Sequence, residues 1–268
     1  MSLRITNNVE AFNAYRNLNK TSAAVSKSME RLSSGYRINR GADDAAGLGI
    51  SETMRSQIRG LGQAQRNIQD GVSMVQTAEG NLDTVHAMLQ RVRELAVQYK
   101  NGTLSQASRD AIQTEVNQLA SEIERIGQTA VFNGLSLLAS TSMTSFQVGA
   151  NDGEVIGISM ISLGASLGTA FYSLSAAGTA DLSEIDAAIT SVSSTRATFG
   201  AVQNRLEHAL SVTAAYQENM VSAESRIRDV DMAEEMVNLT KNQILQQAGT
   251  AMLAQANQLP QAVLTLLR

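Results

Sequence analysis

Between Leu61 and Tyr99 every seventh residue is apolar or small, and so is every residue three places further on. The first series is Leu61, Ile68, Val75, Leu82, Leu89 and Ala96; the second is Ala64, Gly71, Ala78, Val85, Val92 and Tyr99. A repeat sustained this long wants an α-helix whose seam is covered by other helices in a left-handed, near-parallel bundle. From Asp43 to Lys100 only scattered glycines interrupt the pattern, which predicts a helix on the order of 80 Å long at ~1.5 Å per residue. Such a helix needs partners along its whole flank.

The next segments supply them. Asn101-Gly102 breaks the helix, and Thr103 with Gln106 is read as a capping box that starts another. Ile112, Val116, Leu119, Ile123 and Ile126 then alternate by four and three, as expected of a second helix folded back on the first. Past residue 130 the character changes. Phe146-Gln147-Val148 and Val155-Ile156-Gly157-Ile158 flank a polar stretch containing Asp152-Gly153, so a small β-hairpin is expected near 146–158. Residues 159–180, rich in Ser, Gly, Ala and Leu, read as a short surface connection.

Asp181 and Glu184 offer a further cap, and a second heptad series follows: Ile185, Val192, Phe199, Leu206, Thr213, Met220 and Ile227. Its companions are Ala188, Thr195, Val202, Ala209, Tyr216, Ala223 and Val230, so two threonines alone interrupt the stripe. The simplest topology returns this helix alongside the first and brings the chain ends together. The fold class is therefore mainly α: long helices in an antiparallel coiled-coil bundle with a small β-hairpin, and the N- and C-terminal helices paired. Residues 1–42 with 228–268 form one domain in this reading, and 43–227 the other. Pro260 is read as permitting a final turn or short helix.

The two ends are weaker than the middle. Residues 1–32 are amphipathic, with Val9, Phe12, Leu18, Val25, Met29 and Leu32 on one side, and beyond Val230 the repeat gives way to Ala, Gln and Met. Isolated helices of this kind are marginal in water, so each arm is expected to need the other and neighbouring molecules. The apolar positions assigned to these arms are Ile5, Val9, Phe12, Leu18, Val25, Leu32, Met236, Leu239, Ile244, Leu266 and Leu267.

Composition agrees with slender helical packing: 43% of residues are hydrophobic, yet aromatics are 4% and Trp is absent. A net charge of −4 gives no general attraction to nucleic acid or anionic membranes. Residues 1–40 carry seven bases against two acids; pairing with the acids that open the tail (Asp229, Asp231, Glu234, Glu235) accounts for that local excess. No nucleic-acid partner and no membrane insertion are expected, since no apolar run approaches the ~18 residues of a membrane span, and no cleaved secretory signal is recognisable.

Nothing converges on chemistry. There is no cysteine, and the two histidines, His86 and His208, lack a second ligand at helical spacing. Gly41, Gly47 and Gly49 match no phosphate-binding pattern, and Asp43-Asp44 reads as capping or solvated charge. No catalytic residue, metal or cofactor is assigned, and the chain is not expected to be an enzyme.

Several runs resemble bacterial flagellin. At the N-terminal end these are Leu3 to Val9, Arg31-Leu32-Ser33-Ser34-Gly35-Tyr36-Arg37-Ile38-Asn39, Asp43 to Leu48, Gln69-Asp70-Gly71, Thr77-Ala78-Glu79-Gly80, Gln90 to Gln98, and Phe132-Asn133-Gly134. At the other end they are Asn204-Arg205-Leu206, Ser225 to Glu235, and Leu266-Leu267-Arg268. Thr6 and Gly49 depart from the family's commoner Asn and Ala.

The resemblance implies a subunit of the extracellular flagellar filament that polymerises with itself for motility. It further implies terminal arms lining the filament core, with the remainder as a surrounding tube. Export through the flagellar type III machinery without a cleaved signal, an export chaperone and a filament cap are implied partners. Where many flagellins insert outer domains, only residues 159–180 stand here, so a thin, smooth filament is expected. Arg91, Leu95, Gln98 and Glu115 match the surface read by a host innate immune receptor of the Toll-like class. The alternatives are a hook–filament junction protein or a secreted helical-bundle effector or adhesin.

Overall fold

A computed structural model describes residues 8–164 and 181–266, with the backbone alone at 181 and 259–266. Among the described residues the chain forms five helices and two small antiparallel strand pairs. The helices are α1 (Val9–Ser34), α2 (Ala45–Tyr99), α3 (Gln106–Thr129), α4 (Asp181–Arg228) and α5 (Met232–Leu266). The strands are β1 (Val131–Phe132) with β2 (Leu135–Ser136), and β3 (Met143–Gln147) with β4 (Val155–Ser159). The chain divides into two compact units, residues 57–218 and residues 1–56 with 219–268.

In the unit 57–218, α3 and α4 each pack antiparallel to α2. Arg91 of α2 meets Glu115 of α3, and Tyr99 lies under Arg109. Arg93 meets Asp186, while Arg196 reaches Asp83. The heptad seam turns inward: Ile68, Leu82, Leu89, Val92 and Ala96 are fully buried, as are Val116, Ile185 and Leu206. Both threonines that break the second seam have partners. Thr213 donates to the Val148 carbonyl and Thr195 to that of Ser191, so neither hydroxyl is left unsatisfied in the bundle.

The β3–β4 hairpin packs on α2 where the seam holds a glycine. A Cβ at Gly71 would meet the Phe146 ring at 3.2 Å and Leu206 at 3.4 Å, so the missing side chain makes room for the ring. The loop between the strands closes through the Val148 amide donating to the Glu154 carbonyl, with Gly153 at φ 87°, a left-handed conformation that favours glycine.

Three local expectations are corrected. Ser105, not Thr103, caps α3, its hydroxyl accepting from the Ser108 amide at 3.2 Å; Thr103 instead donates its amide to Asn101 Oδ1. The stretch read as a surface connection from 159 begins as core, because Met160 and Leu163 are 4% and 3% exposed and Leu163 packs beside Gly127 near the end of α3. Residues 165–180 lie outside the described residues, and with them the surroundings of the cap expected at Asp181 and Glu184. Finally, α5 runs through Pro260 to Leu266 as one element rather than ending in a separate turn; proline removes one backbone donor there without stopping the helix.

Candidate interaction surface

In the other unit α1 and α5 lie antiparallel. Asn8 caps α1 by accepting from the Ala11 amide, and its side-chain amide donates to the Ala256 carbonyl at 2.8 Å. Leu18 packs where α5 has Gly249, whose missing Cβ would stand 3.4 Å away. At the far end Arg31 pairs with Glu235 at 3.5 Å, the carboxylate being one of the few buried charges.

Gly35 ends α1 in the left-handed conformation, φ 74°, its amide donating to the Arg31 carbonyl. This is the αL stop that glycine provides without a Cβ penalty. The chain then runs beside the α4–α5 junction. Tyr36 bridges Asp229, the Arg37 amide donates to the Arg228 carbonyl at 2.7 Å, and the Val230 amide donates to the Gly35 carbonyl at 3.0 Å. Arg228 lies 4.8 Å from the Tyr36 ring centre and 2.8 Å from Glu52, which holds the Glu52 carboxyl below its usual range. Asp231 caps α5, accepting from the amides of Ala233 and Glu234. Two of the runs that resemble flagellin, 31–39 and 225–235, thus meet each other.

The basic excess of the first forty residues is used differently from the expectation. Among the described residues only Arg31 reaches a tail acid by an ion pair. Lys27 binds Asp43 at 2.7 Å, Arg40 binds Glu30, and the Arg37 guanidinium donates to the Ile227 carbonyl. Asp43 consequently sits at a pKa of about 2, chiefly through its hydrogen bond from Lys27 and then the amide of Arg40. Local turn chemistry consumed charges that charge counting alone could not assign.

The pairing uses one face of each terminal helix and leaves another apolar face open. Leu18, Val25 and Leu32 are half-buried and Leu239 is 7% exposed. By contrast Val9, Phe12 and Tyr15 stand 61%, 69% and 54% exposed on α1. On α5, Met236, Val237, Ile244 and Leu245 border a shallow groove with Thr240 and Lys241. The arm residues read as one apolar side therefore divide, with Leu18, Val25, Leu32 and Leu239 toward the partner helix and Val9, Phe12, Met236 and Ile244 toward solvent. Ile5 and Leu267 lie outside the described residues, as does the Leu266 side chain. Large apolar side chains grouped on a surface mark a contact site.

Of the residues matched to a receptor surface, Arg91 and Glu115 form an exposed ion pair at 2.9 Å, and Gln98 is exposed. Leu95 is 2% exposed and belongs to the bundle core, since it adjoins the heptad position Ala96 on the inward face. Among the described residues no group of His, Cys, Asp and Glu is arranged to hold a metal, and no helix is long and apolar enough to cross a membrane.

A helical-bundle subunit with paired terminal helices, each keeping an uncovered apolar flank, belongs to the class of proteins built to pack against further helices. Residues 5–143 match the bacterial flagellin N-terminal helical region, and residues 182–267 match the C-terminal helical region. A flagellin from Halalkalibacterium halodurans is 51% identical over 98% of this chain and 99% of its own, and one from Bacillus subtilis is 48% identical over 99% and 100%. The crystal structure of Bacillus cereus flagellin superimposes with a TM-score of 0.51 at 31% identity, covering 59% of this chain and 94% of that one. The chain belongs to the bacterial flagellin family.

Proposed function

We propose that the protein is the structural subunit of a bacterial flagellar filament, polymerising outside the cell for swimming motility. The observation that carries this is the second apolar face on each terminal helix, Val9, Phe12 and Tyr15 on one and Val237, Ile244 and Leu245 on the other, in a chain related to flagellins along almost its whole length. Copies of the same chain are the occupants of those faces. Residues 1–42 with 228–268 line the filament core, with Ile5, Leu266 and Leu267 among the contributing side chains, and residues 43–227 form the surrounding tube.

The chain leaves the cell through the flagellar type III machinery with an export chaperone and without cleavage of a signal, adds beneath a filament cap, and has no catalytic activity. With only residues 159–180 in place of an outer domain, the filament is thin and smooth. A host Toll-like receptor reads the exposed face around Arg91, Gln98 and Glu115; a reporter cell line that stays silent with monomeric protein refutes that part.

Purified full-length protein added to short filament seeds is expected to elongate them, as read by sedimentation and electron microscopy. Removing about thirty residues from either terminus should leave a soluble helical monomer, because one terminal helix then lacks its cover. A full-length chain that stays monomeric on seeds, or a truncated one that forms the same tubes, overturns the proposal.

A further inference from the structure

The methionines divide by place in the fold. Met74 and Met160 are 2% and 4% exposed in the core of the unit 57–218. Met29, Met232, Met236 and Met252 are each half-exposed or more, and all four lie on α1 or α5. Met143 on the β3–β4 hairpin is also exposed and lies outside the terminal helices. A buried thioether is shielded from aqueous oxidants, whereas an exposed one is open to them.

We propose that Met29, Met232, Met236 and Met252 are oxidation sites that control assembly: their conversion to sulfoxides by hydrogen peroxide keeps the folded monomer from joining the next copy. The inference rests on the filament reading above and adds a regulation to it. In each event the sulfur lone pair attacks one peroxide oxygen, an S–O bond forms as the O–O bond breaks, and the second oxygen leaves as water after proton transfer. Sulfur is oxidised by two electrons and peroxide is reduced by two.

The consequence follows from where the new oxygen lands. Met236 borders the groove of Val237, Ile244 and Leu245, a surface that another helix covers only by stripping water from it. A sulfoxide there is a strong acceptor that must either find a donor or be buried without one, which is unfavourable. The neighbouring Thr240 hydroxyl already donates to the Met236 carbonyl at 2.8 Å, and the exposed Lys241 would have to give up hydration of its ammonium to reach a buried sulfoxide. The buried Met74 and Met160 stay reduced, so the chain remains folded while its arms become unable to dock. Vulnerability is confined to the unassembled chain, because docking covers the same thioethers.

The test treats full-length monomer with graded hydrogen peroxide, maps sulfoxides by peptide mass spectrometry, and measures the critical concentration for elongating seeds. Sulfoxide is expected at Met29, Met232, Met236 and Met252, and at Met143 outside the arms, with Met74 and Met160 spared, unchanged circular dichroism, and about a tenfold or greater rise in critical concentration. Methionine sulfoxide reductases should restore elongation by the oxidised wild-type protein, and the variant M29L/M232L/M236L/M252L should elongate equally before and after peroxide. Oxidised wild-type protein that elongates as well as untreated protein overturns the inference alone. So does a leucine variant as sensitive as wild type, or an oxidised chain that the reductases reduce without recovery. Untreated wild-type protein that fails to elongate seeds overturns the filament reading and this inference with it. Reductase recovery is read on the wild-type chain, so it decides the matter even where the leucine variant does not fold.

Discussion

Truncating Phe12 to alanine separates the stability of the isolated chain from the strength of the polymer. The side chain is 69% exposed, and a phenylalanine presents ~200 Å², so about 140 Å² of it waits to be covered. Removing all but the Cβ forfeits about 100 Å² of that future contact, or roughly 2.5 kcal/mol at ~25 cal/mol per Å². The corresponding rise in critical concentration is roughly 50- to 100-fold. Within the monomer only about 60 Å² is lost from contact, and alanine is the better helix former, so the net cost there stays under about 1 kcal/mol. Critical concentration is measured by sedimentation after seeding, and monomer stability by circular dichroism in urea. A variant that elongates within about twofold of wild type refutes the assignment of this face to the interface, given that the arithmetic demands a far larger effect. A monomer destabilised as much as by a core truncation would show that Phe12 packs within its own chain.

Leu82→Ala should do the reverse, lowering stability of the unit 57–218 by ~2–5 kcal/mol because Leu82 is fully buried among three helices; a urea midpoint like that of wild type would contradict the packing. Gly71→Val should cost ~1–3 kcal/mol by forcing a branched side chain against the Phe146 ring, and an undiminished melt would place the hairpin elsewhere. Asp43 should titrate near its pKa of about 2 by carboxyl NMR, and Lys27→Ala should move that midpoint up toward the ordinary 3.8. Since the folded value is depressed, the contribution is present above the ordinary value and is lost as pH falls through about 2; a wild-type midpoint near 3.8 would refute the Lys27 contact.

The central bundle was legible because the seam is long and its period unambiguous: each of Leu61, Ile68, Val75, Leu82, Leu89 and Ala96 is buried. The hairpin was legible for a different reason, since Asp152-Gly153 marks the turn that Gly153 makes at positive φ. The β1–β2 pair was missed although Asn133-Gly134 carries the same signal, both residues having positive φ, because two-residue strands leave no alternation to read. The arms divided where the sequence showed one side. Apolar residues that face a partner helix and those that face another molecule carry the same signature in a single chain. Helix phase alone cannot say which of two apolar flanks an intramolecular neighbour takes. Leu95 illustrates the converse, in that a residue matched by resemblance to an outer surface lies inward because the seam's phase, not the motif, sets its direction.

The contact of Asn8 with Ala256, and of Arg31 with Glu235, joins residues 248 and 204 positions apart in the chain. The helix α1 therefore finds its cover only once α5 has been made. A chain cut before α5 never completes that pair and leaves the inward flank of α1, Leu18 included, open to water.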